Sequence, residues 1–267
     1  MRASIYINAV RYTVADLRSA PEDAAVFFLM LGQFHNQMAA LKRQIVQSTL
    51  SFADNEPEVR TRSAASVLAA RMLASHLWEG WLLLKGKFGA ELLAQTAEAG
   101  ELVVQEYQAL RKMFGAGTLL NKIRNTAAYH YDRGHVIEAY RAMHDADELV
   151  DYHESQPGNC LFYSAEAVLV KQLSRLDGSE AGDDLLSPLY SEIMQACSIF
   201  DEITRQYIRT FCAIYLPGKD KEDFIEVPDQ PTLEEFSAPV YLAATPSEAR
   251  KAVWRDVTNL SDPKTTH

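Results

Sequence analysis

The side chains best suited to chemistry in this sequence lie together in residues 123–132, which read IRNTAAYHYD. Asn125 directly follows Arg124, and five residues separate Arg124 from His130. Histidine titrates close to neutrality, so His130 can act as a general acid or a general base. Arginine is permanently charged and presents a rigid fork of donors, so Arg124 can stabilise negative charge that develops in a reaction.

A basic stretch without acidic residues surrounds this segment. Residues 107–131 contain no Asp or Glu but include Arg111, Lys112, Lys122 and Arg124. The whole chain carries a net charge of -10, a balance that opposes non-specific binding to nucleic acid. The basic stretch is therefore a local exception, and it is either a phosphate-binding surface or a solvated helix face.

The motif resembles the signature of the HEPN superfamily, in which Arg and a polar residue are followed by His after four to six intervening residues. The extended pattern, with Arg124-Asn125, small Ala128, aromatic Tyr129 and then His-Tyr-Asp, is similar to versions in prokaryotic defence and toxin proteins. The resemblance covers these few residues. It implies a helical bundle and, in many members, metal-independent endoribonuclease activity, whereas other members are inactive and serve in binding or dimerisation.

The resemblance also implies roles for individual residues. His130 would take the proton from a ribose 2′-hydroxyl or protonate the leaving oxygen, and Arg124 would stabilise the phosphorane-like transition state. Asn125 would orient either group or the scissile phosphate. The substrate-binding side chains would be Tyr131, Lys122, Arg111 and Lys112. No cofactor or metal is implied; the expected partners are RNA, a second copy of the chain, and an antitoxin or another protein.

An ideal helix does not bring Arg124 and His130 onto one face, because six residues at about 100° each place them about 120° apart. Either the helix distorts or ends near Tyr129, or both side chains point into a groove that a second subunit completes, which predicts a homodimer. In a purely structural alternative, Arg124 pairs with an acidic residue and His130 caps the helix end. The alternative function is a non-catalytic module for dimerisation or partner binding.

Other catalytic classes have weaker signals. His144, Glu148 and Asp151 would share a helix face and could hold a cation, with a solvated acidic face as the alternative. Asp132 with His135 matches half of a di-iron carboxylate pattern, but the chain has no Glu-x-x-His. It also lacks a Gly-rich phosphate loop, a nucleophile elbow and His-Glu-x-x-His, which argues against ATPases, serine hydrolases and zinc proteases.

We expect a soluble, cytoplasmic protein without disulfides. The longest apolar run, residues 26–31, is far shorter than the roughly 20 residues that cross a bilayer, and residues 1–20 carry charges where a signal peptide is apolar. Cys160, Cys197 and Cys212 form no Cys-x-x-Cys pair, which favours buried free thiols.

The elements that must position the motif are predicted to be mostly helical, because apolar residues recur at helical spacing. A long amphipathic helix is expected over residues 21–52, and its apolar face comprises Ala25, Phe28, Leu31, His35, Met38, Leu41 and Ile45. Asn55, Pro57 and Glu58 predict a capped start for a helix that runs towards residue 85. Another helix is expected over residues 90–113.

Gly115 and Gly117 predict a break, and Thr118 predicts the start of a short helix that runs through the motif and is interrupted at Gly134. Further helices are expected over residues 135–152, 164–176 and 187–216. The buried stripe of the last one would comprise Leu189, Ile193, Cys197, Phe200, Tyr207, Phe211 and Ile214.

The sequence therefore predicts an all-α fold, with a bundle of long helices over residues 1–216 and a C-terminal arm over residues 217–267. Prolines make residues 219–244 of this arm an expected irregular segment, and residues 245–260 a short helix. At the other end, residues 5–17 are compatible with either a strand or a helix.

Overall fold

The computed structural model of the chain describes residues 3–50, 55–86, 101–126, 133–153, 160–177, 186–218 and 224–230. Most of these residues are helical, which confirms the all-α expectation. The helices are α1 (Val14–Arg18), α2 (Glu22–Leu50), α3 (Glu56–Lys85), α4 (Glu101–Met113), α5 (Leu119–Thr126), α6 (Arg133–Arg141), α7 (Tyr163–Asp177) and α8 (Leu186–Tyr215). Two strands, β1 (Ala3–Asn8) and β2 (Phe224–Gln230), complete the described elements.

Three long helices, α2, α3 and α8, build the core. α2 packs along α3, and both contact α8. Their apolar faces meet in one cluster of buried side chains that includes Leu31, Met38, Leu73, Leu77, Ile193 and Phe200. Burial of each such side chain contributes about 1.5–3 kcal/mol, compared with about 0.5–2 kcal/mol for a helix cap, and many side chains are buried, so packing dominates the stability of these helices. Ile214 is an exception to the predicted α8 stripe, because its side chain is 52% exposed in the last turn of the helix.

The start of α3 agrees with the sequence prediction. Asn55 has extended backbone angles, and its side-chain oxygen accepts a hydrogen bond from the Glu58 N–H at 3.0 Å. Pro57 lies in the first turn, where its missing N–H removes no helical bond. Glu58 in turn accepts from the buried guanidinium of Arg62 at 2.7 Å. The first turn of α3 is thus fixed by local contacts.

α2 and α3 pack tightly at Gly80. A Cβ atom at this position would lie 2.3 Å from Cε2 of Phe34 on α2. The Phe34 ring stacks on His76, one turn before Gly80, at 4.8 Å between centroids, and His76 Nε2 lies 3.0 Å from the Phe34 carbonyl oxygen. Because a carbonyl oxygen only accepts, this contact assigns the proton to Nε2. Glycine is required here for close helix packing, not for backbone flexibility.

The shorter helices cover the core. α4 packs on α8, α5 packs on α3, and α6 packs against α7. The turn between α4 and α5 contains Gly117 in the left-handed region at φ 83°, as expected for the predicted break. Thr118 precedes α5 and donates its hydroxyl to the Gly115 carbonyl at 2.9 Å, which stabilises the turn. This turn sets the direction in which α5 leaves α4.

The prediction of a helix over residues 135–152 is wrong beyond Arg141, where α6 ends. The His144 N–H donates to the Asp147 carboxylate, and Tyr152 exchanges two 2.8 Å backbone hydrogen bonds with Leu161. Gly134 lies in the first turn of α6. The Asp151 carboxylate accepts from the N–H and hydroxyl of Ser164, which lowers the pKa of Asp151. His144, Glu148 and Asp151 therefore share no helix face.

β1 and β2 form a two-stranded antiparallel sheet. Residues 5–17 thus begin as a strand, and the expectation of an irregular segment over residues 219–244 is wrong for β2. Ala3 lies opposite Gln230 and Ile5 opposite Val227, so two steps along β1 match three along β2. This irregularity coincides with Pro228. Proline has no N–H to donate to the ladder, and a bulge is a position in a strand where this missing hydrogen bond is tolerated. The expected helix over residues 245–260 lies outside the described residues.

Candidate functional site

Arg124 occupies the last turn of α5, and its side chain is exposed. The neighbouring Leu120 and Ile123 are buried, which anchors α5 on the core. The Arg124 guanidinium carbon lies 5.5 Å from the centroid of the Trp78 ring on α3. Such a cation–π contact is worth about 0.5–1 kcal/mol at an exposed position. Packing of α5 and this ring together fix the arginine relative to α3.

Trp78 belongs to an aromatic cluster that supports this contact. The Trp78 ring meets Phe114 edge to face at 5.9 Å, and Trp81 stacks on the same Phe114 at 6.0 Å. Trp81 also contacts Tyr107 of α4 at 5.3 Å. Because these rings come from α3, α4 and the turn after α4, they define the surface on which Arg124 rests. The aromatic side chains therefore have a structural role in addition to filling the core.

The other predicted RNA-binding cations are exposed on α4 and α5. Arg111 and Lys112 lie in the last turn of α4, and Lys122 lies on α5 two residues before Arg124. We call these four cations the basic segment. A cation in the last turn of a helix also interacts favourably with the helix dipole, by about 0.3–1 kcal/mol. This effect gives Arg111, Lys112 and Arg124 a structural explanation beside the functional one.

The remaining predicted site residues are placed only in part. Asn125 belongs to α5, but its side chain lies outside the described residues. His130 and Tyr131 also lie outside them. The expected angle of about 120° between Arg124 and His130 depends on residues 127–130, which lie outside the described ranges. The described part of the candidate site thus consists of the basic segment and the aromatic surface beneath Arg124.

Metal binding and thiol catalysis are two other chemistries that the His, Cys, Asp and Glu side chains could support. No group of three or more such side chains in the described ranges is arranged to hold a metal ion. Cys197 and Cys212 are buried and Cys160 is half-buried, and none of the three forms a disulfide bond. Burial raises the pKa of the Cys197 thiol to about 12, so this sulfur stays protonated and is a poor nucleophile. In the same ranges, no helix is both long and apolar enough to cross a membrane.

A second polar group, which the sequence analysis did not identify, lies between α2 and α8. His35 Nδ1 is 3.4 Å from one carboxylate oxygen of Asp201, and Lys42 Nζ is 3.0 Å from the other. His35 and Asp201 border a pocket of about 550 Å³. The sequence places His35 in an apolar stripe and Asp201 on a distant helix. No local spacing indicates that the two side chains meet.

Comparisons with protein-family models, with curated proteins and with solved structures gave no match to this chain. The proposals below therefore rest on the motif and on the contacts of the described residues.

Proposed function

We propose that this chain is a HEPN-like, metal-independent endoribonuclease that acts in the cytoplasm as a toxin or defence effector. The observation that carries this proposal is the position of Arg124, which is exposed at the end of α5 and supported by the Trp78 ring at 5.5 Å. Asn125 follows it, and His130 comes six residues later. Acid–base cleavage of RNA needs a cation that stabilises the phosphate and a group that transfers a proton, and Arg124 and His130 would supply these two functions.

In this reaction the nucleophile is the ribose 2′-hydroxyl of the RNA next to the phosphate that is cleaved. The 2′-hydroxyl oxygen attacks the adjacent phosphorus while the bond from phosphorus to the 5′ oxygen breaks, which gives a 2′,3′-cyclic phosphate and a 5′-hydroxyl. In this proposal His130 removes the proton from the 2′-hydroxyl or donates one to the leaving 5′ oxygen. Arg124 stabilises the additional negative charge on the phosphoryl oxygens, and Asn125 orients the phosphate. Tyr131 adds a hydrogen bond to the phosphate.

The basic segment provides the binding surface in this proposal. Its members are exposed, and the surrounding residues 107–131 contain no Asp or Glu to repel a phosphate backbone. Each phosphate that the protein neutralises lowers the slope of log affinity against log salt by about 0.7 for a single strand. Lys122→Ala should therefore weaken RNA binding and make the slope shallower by about that amount. Lys85→Ala, which removes an exposed lysine at the end of α3, is the matched control and should change neither.

The catalytic test is cleavage of a looped, single-stranded RNA in the presence of a metal chelator. We expect cleavage of RNA and none of the corresponding DNA, because DNA lacks the 2′-hydroxyl. His130→Ala should slow cleavage by roughly two to four orders of magnitude. Arg124→Ala should lower kcat more than it weakens RNA binding, because its charge acts mainly in the transition state.

Two controls separate catalysis from folding. Circular dichroism should show unchanged helix content in both variants, and Arg43→Ala, which removes an exposed arginine of α2, should cleave RNA at the wild-type rate. Full activity in His130→Ala would contradict the assignment. Cleavage that disappears with chelator and returns with a divalent ion would contradict the metal-independent mechanism.

The second candidate function is a non-catalytic dimerisation or partner-binding module. It is favoured by Val26, Leu29 and Met30 of α2, which are 41–53% exposed and share one helix face at i, i+3 and i+4. Exposed apolar groups of this kind are typical of protein–protein contacts. A homodimer fits both functions, and an antitoxin or another protein would be a further partner. Only the enzyme requires His130 for its measured activity.

A further inference from the structure

The described lining of the pocket between α2 and α8 includes no residue of the basic segment. The pocket volume of about 550 Å³ falls in the range of sites for small molecules, which is about 300–1,000 Å³. The side chains on which the argument depends are His35, Asp201, Glu202, Thr204, Arg205 and Arg209. All but His35 belong to α8, so the pocket extends along one helix and is bordered by α2 at the histidine.

The charges of this group leave one arginine uncompensated. The Asp201 carboxylate pairs with Lys42 at 3.0 Å, and the Glu202 carboxylate pairs with Arg205. Arg209 is exposed, and it forms no ion pair with a described residue. With a neutral His35, the two carboxylates and two arginines of the lining balance, and Lys42, which pairs with Asp201, brings the local net charge to +1, although the whole chain carries a net charge of -10. Such a pocket favours an anionic ligand.

Two buried polar atoms beside the pocket have no hydrogen-bond partner among the described residues. They are the hydroxyl oxygen of Thr204, a residue that is 1% exposed, and Nδ1 of His35. The distance of 3.4 Å between His35 Nδ1 and Asp201 is close enough for electrostatic attraction, but the geometry is not that of a hydrogen bond. Buried polar atoms normally have hydrogen-bond partners, so each of these two calls for a partner that the described residues do not supply, and a bound ligand is one such partner.

We propose that this pocket binds a small organic molecule that carries a phosphate monoester. Arg209 supplies a guanidinium fork for two phosphate oxygens, and Arg205, one turn earlier, is held in place by Glu202. The Thr204 hydroxyl donates to the ligand, and Asp201 is a positioning residue that keeps His35 at the rim. Ile208, which lies between the two arginines in sequence and is half-buried, provides an apolar contact for the organic part.

Phenyl phosphate is a suitable probe, because it combines a phosphate monoester with an apolar ring. Isothermal titration calorimetry of the full chain at pH 8, where the monoester is doubly charged, should detect a single site. Phenyl sulfate, with one charge, should bind at least about tenfold more weakly, and benzyl alcohol should give no signal. Weaker or absent selectivity for the phosphate would overturn the proposed ligand class.

Variants connect the binding to the pocket. Arg209→Gln should weaken binding about tenfold or more, whereas Arg43→Gln, the same change at an exposed arginine of α2 outside the pocket, should leave it unchanged. Equal weakening by both variants would show attraction to net charge and would overturn the site. Thr204→Val should weaken binding several-fold, whereas Thr204→Ser retains the hydroxyl and should preserve it. Binding without change in Arg209→Gln, or no binding to wild type at 10 mM probe, would also overturn the proposal.

This inference is independent of the proposed ribonuclease activity. His130→Ala changes none of the described lining residues and should bind phenyl phosphate with wild-type affinity. Loss of cleavage with retained phosphate binding would support the pocket and the nuclease separately. Loss of phenyl phosphate binding in Arg209→Gln with retained cleavage of RNA would also support the pocket and the nuclease as separate sites.

Discussion

At Arg124, the Trp78 ring supports the guanidinium through a cation–π contact. The ring attracts the guanidinium through its quadrupole and does not itself neutralise the positive charge. This contact is therefore suited to an arginine that must face a phosphate. The contact would also serve a purely structural arginine, and the cleavage assay separates the two roles.

Glu166 on α7 provides a prediction about pH. Burial raises the pKa of its carboxyl above the ordinary value of 4.5, although the charge of Arg71 partly opposes the shift. A raised pKa in the folded state means that this group contributes stability below pH 4.5, which is lost as pH rises through the folded value. Glu166→Gln should therefore raise the thermal midpoint relative to wild type at pH 8, and the difference should vanish near pH 4.

Thermal unfolding followed by circular dichroism at both pH values measures this effect. Glu202→Gln is not a suitable control, because Glu202 pairs with Arg205. Glu22→Gln at the exposed start of α2 is suitable, and it should lower stability slightly, since it removes a favourable charge from a helix N-terminus. An equal rise for both variants at pH 8 would indicate relief of the overall negative charge and not of burial.

Single residues also show what a sequence can and cannot predict about a site. The start of α5 could be placed from the glycines before it, and Arg124 could be placed on this helix, because glycine breaks and apolar spacing are local signals. The contact between His35 and Asp201 depends on the packing of α2 against α8, and the two residues lie far apart in the chain. His35 also occupies a position that its apolar neighbours assign to the core. The sequence around a histidine at the edge of an apolar stripe does not indicate which distant side chain it contacts.

At the scale of elements, the close approach of α2 and α3 gives a second prediction. Gly80→Ala should destabilise the protein by about 1–3 kcal/mol, because its Cβ would meet the Phe34 ring at 2.3 Å. This cost outweighs the gain of about 0.8–1.0 kcal/mol that alanine brings to a helix interior. Gly32→Ala is the matched control. Outside the local helix backbone, no described atom lies within 4 Å of the Cβ that alanine would add, so this variant should stabilise α2 by up to about 1 kcal/mol.

Urea unfolding of both variants tests this pair directly. Gly80→Ala combined with Phe34→Leu should recover part of the lost stability, since the smaller side chain makes room for the new methyl group. Equal stability of Gly80→Ala and Gly32→Ala would contradict the close packing of Gly80 against Phe34.

The elements that were predicted well share a property. α2, α3 and α8 are long amphipathic helices, and the cap at Asn55 is a contact between residues three apart. The elements that were predicted poorly depend on distant partners. β2 exists because β1 pairs with it, and Tyr152 leaves the helical course to pair with Leu161. Local periodicity contains no information about either pairing. The predicted helix over residues 135–152 therefore continues past Arg141, where α6 ends.

For the whole molecule, we expect a homodimer formed through the exposed apolar face of α2. Leu29→Glu should shift the mass measured by light scattering at micromolar concentration from twice 29.9 kDa towards the monomer. The reason is that a charge in a dry interface is costly to bury. Leu68→Glu, at a similarly exposed leucine of α3, should leave the dimer intact. A monomeric wild-type protein that still cleaves RNA would contradict a site shared between two subunits.

The sheet formed by β1 and β2 has a consequence for the synthesis of the chain. β1 leaves the ribosome before the described helices, and β2 follows more than 200 residues later. At about 5–20 residues per second, β1 then waits for roughly 10–40 s until β2 is made. During this time its backbone N–H and C=O groups form an open strand edge. The nascent chain therefore holds a pairing edge available to a neighbouring copy on the same messenger RNA, and closure of the sheet is a late event in its folding.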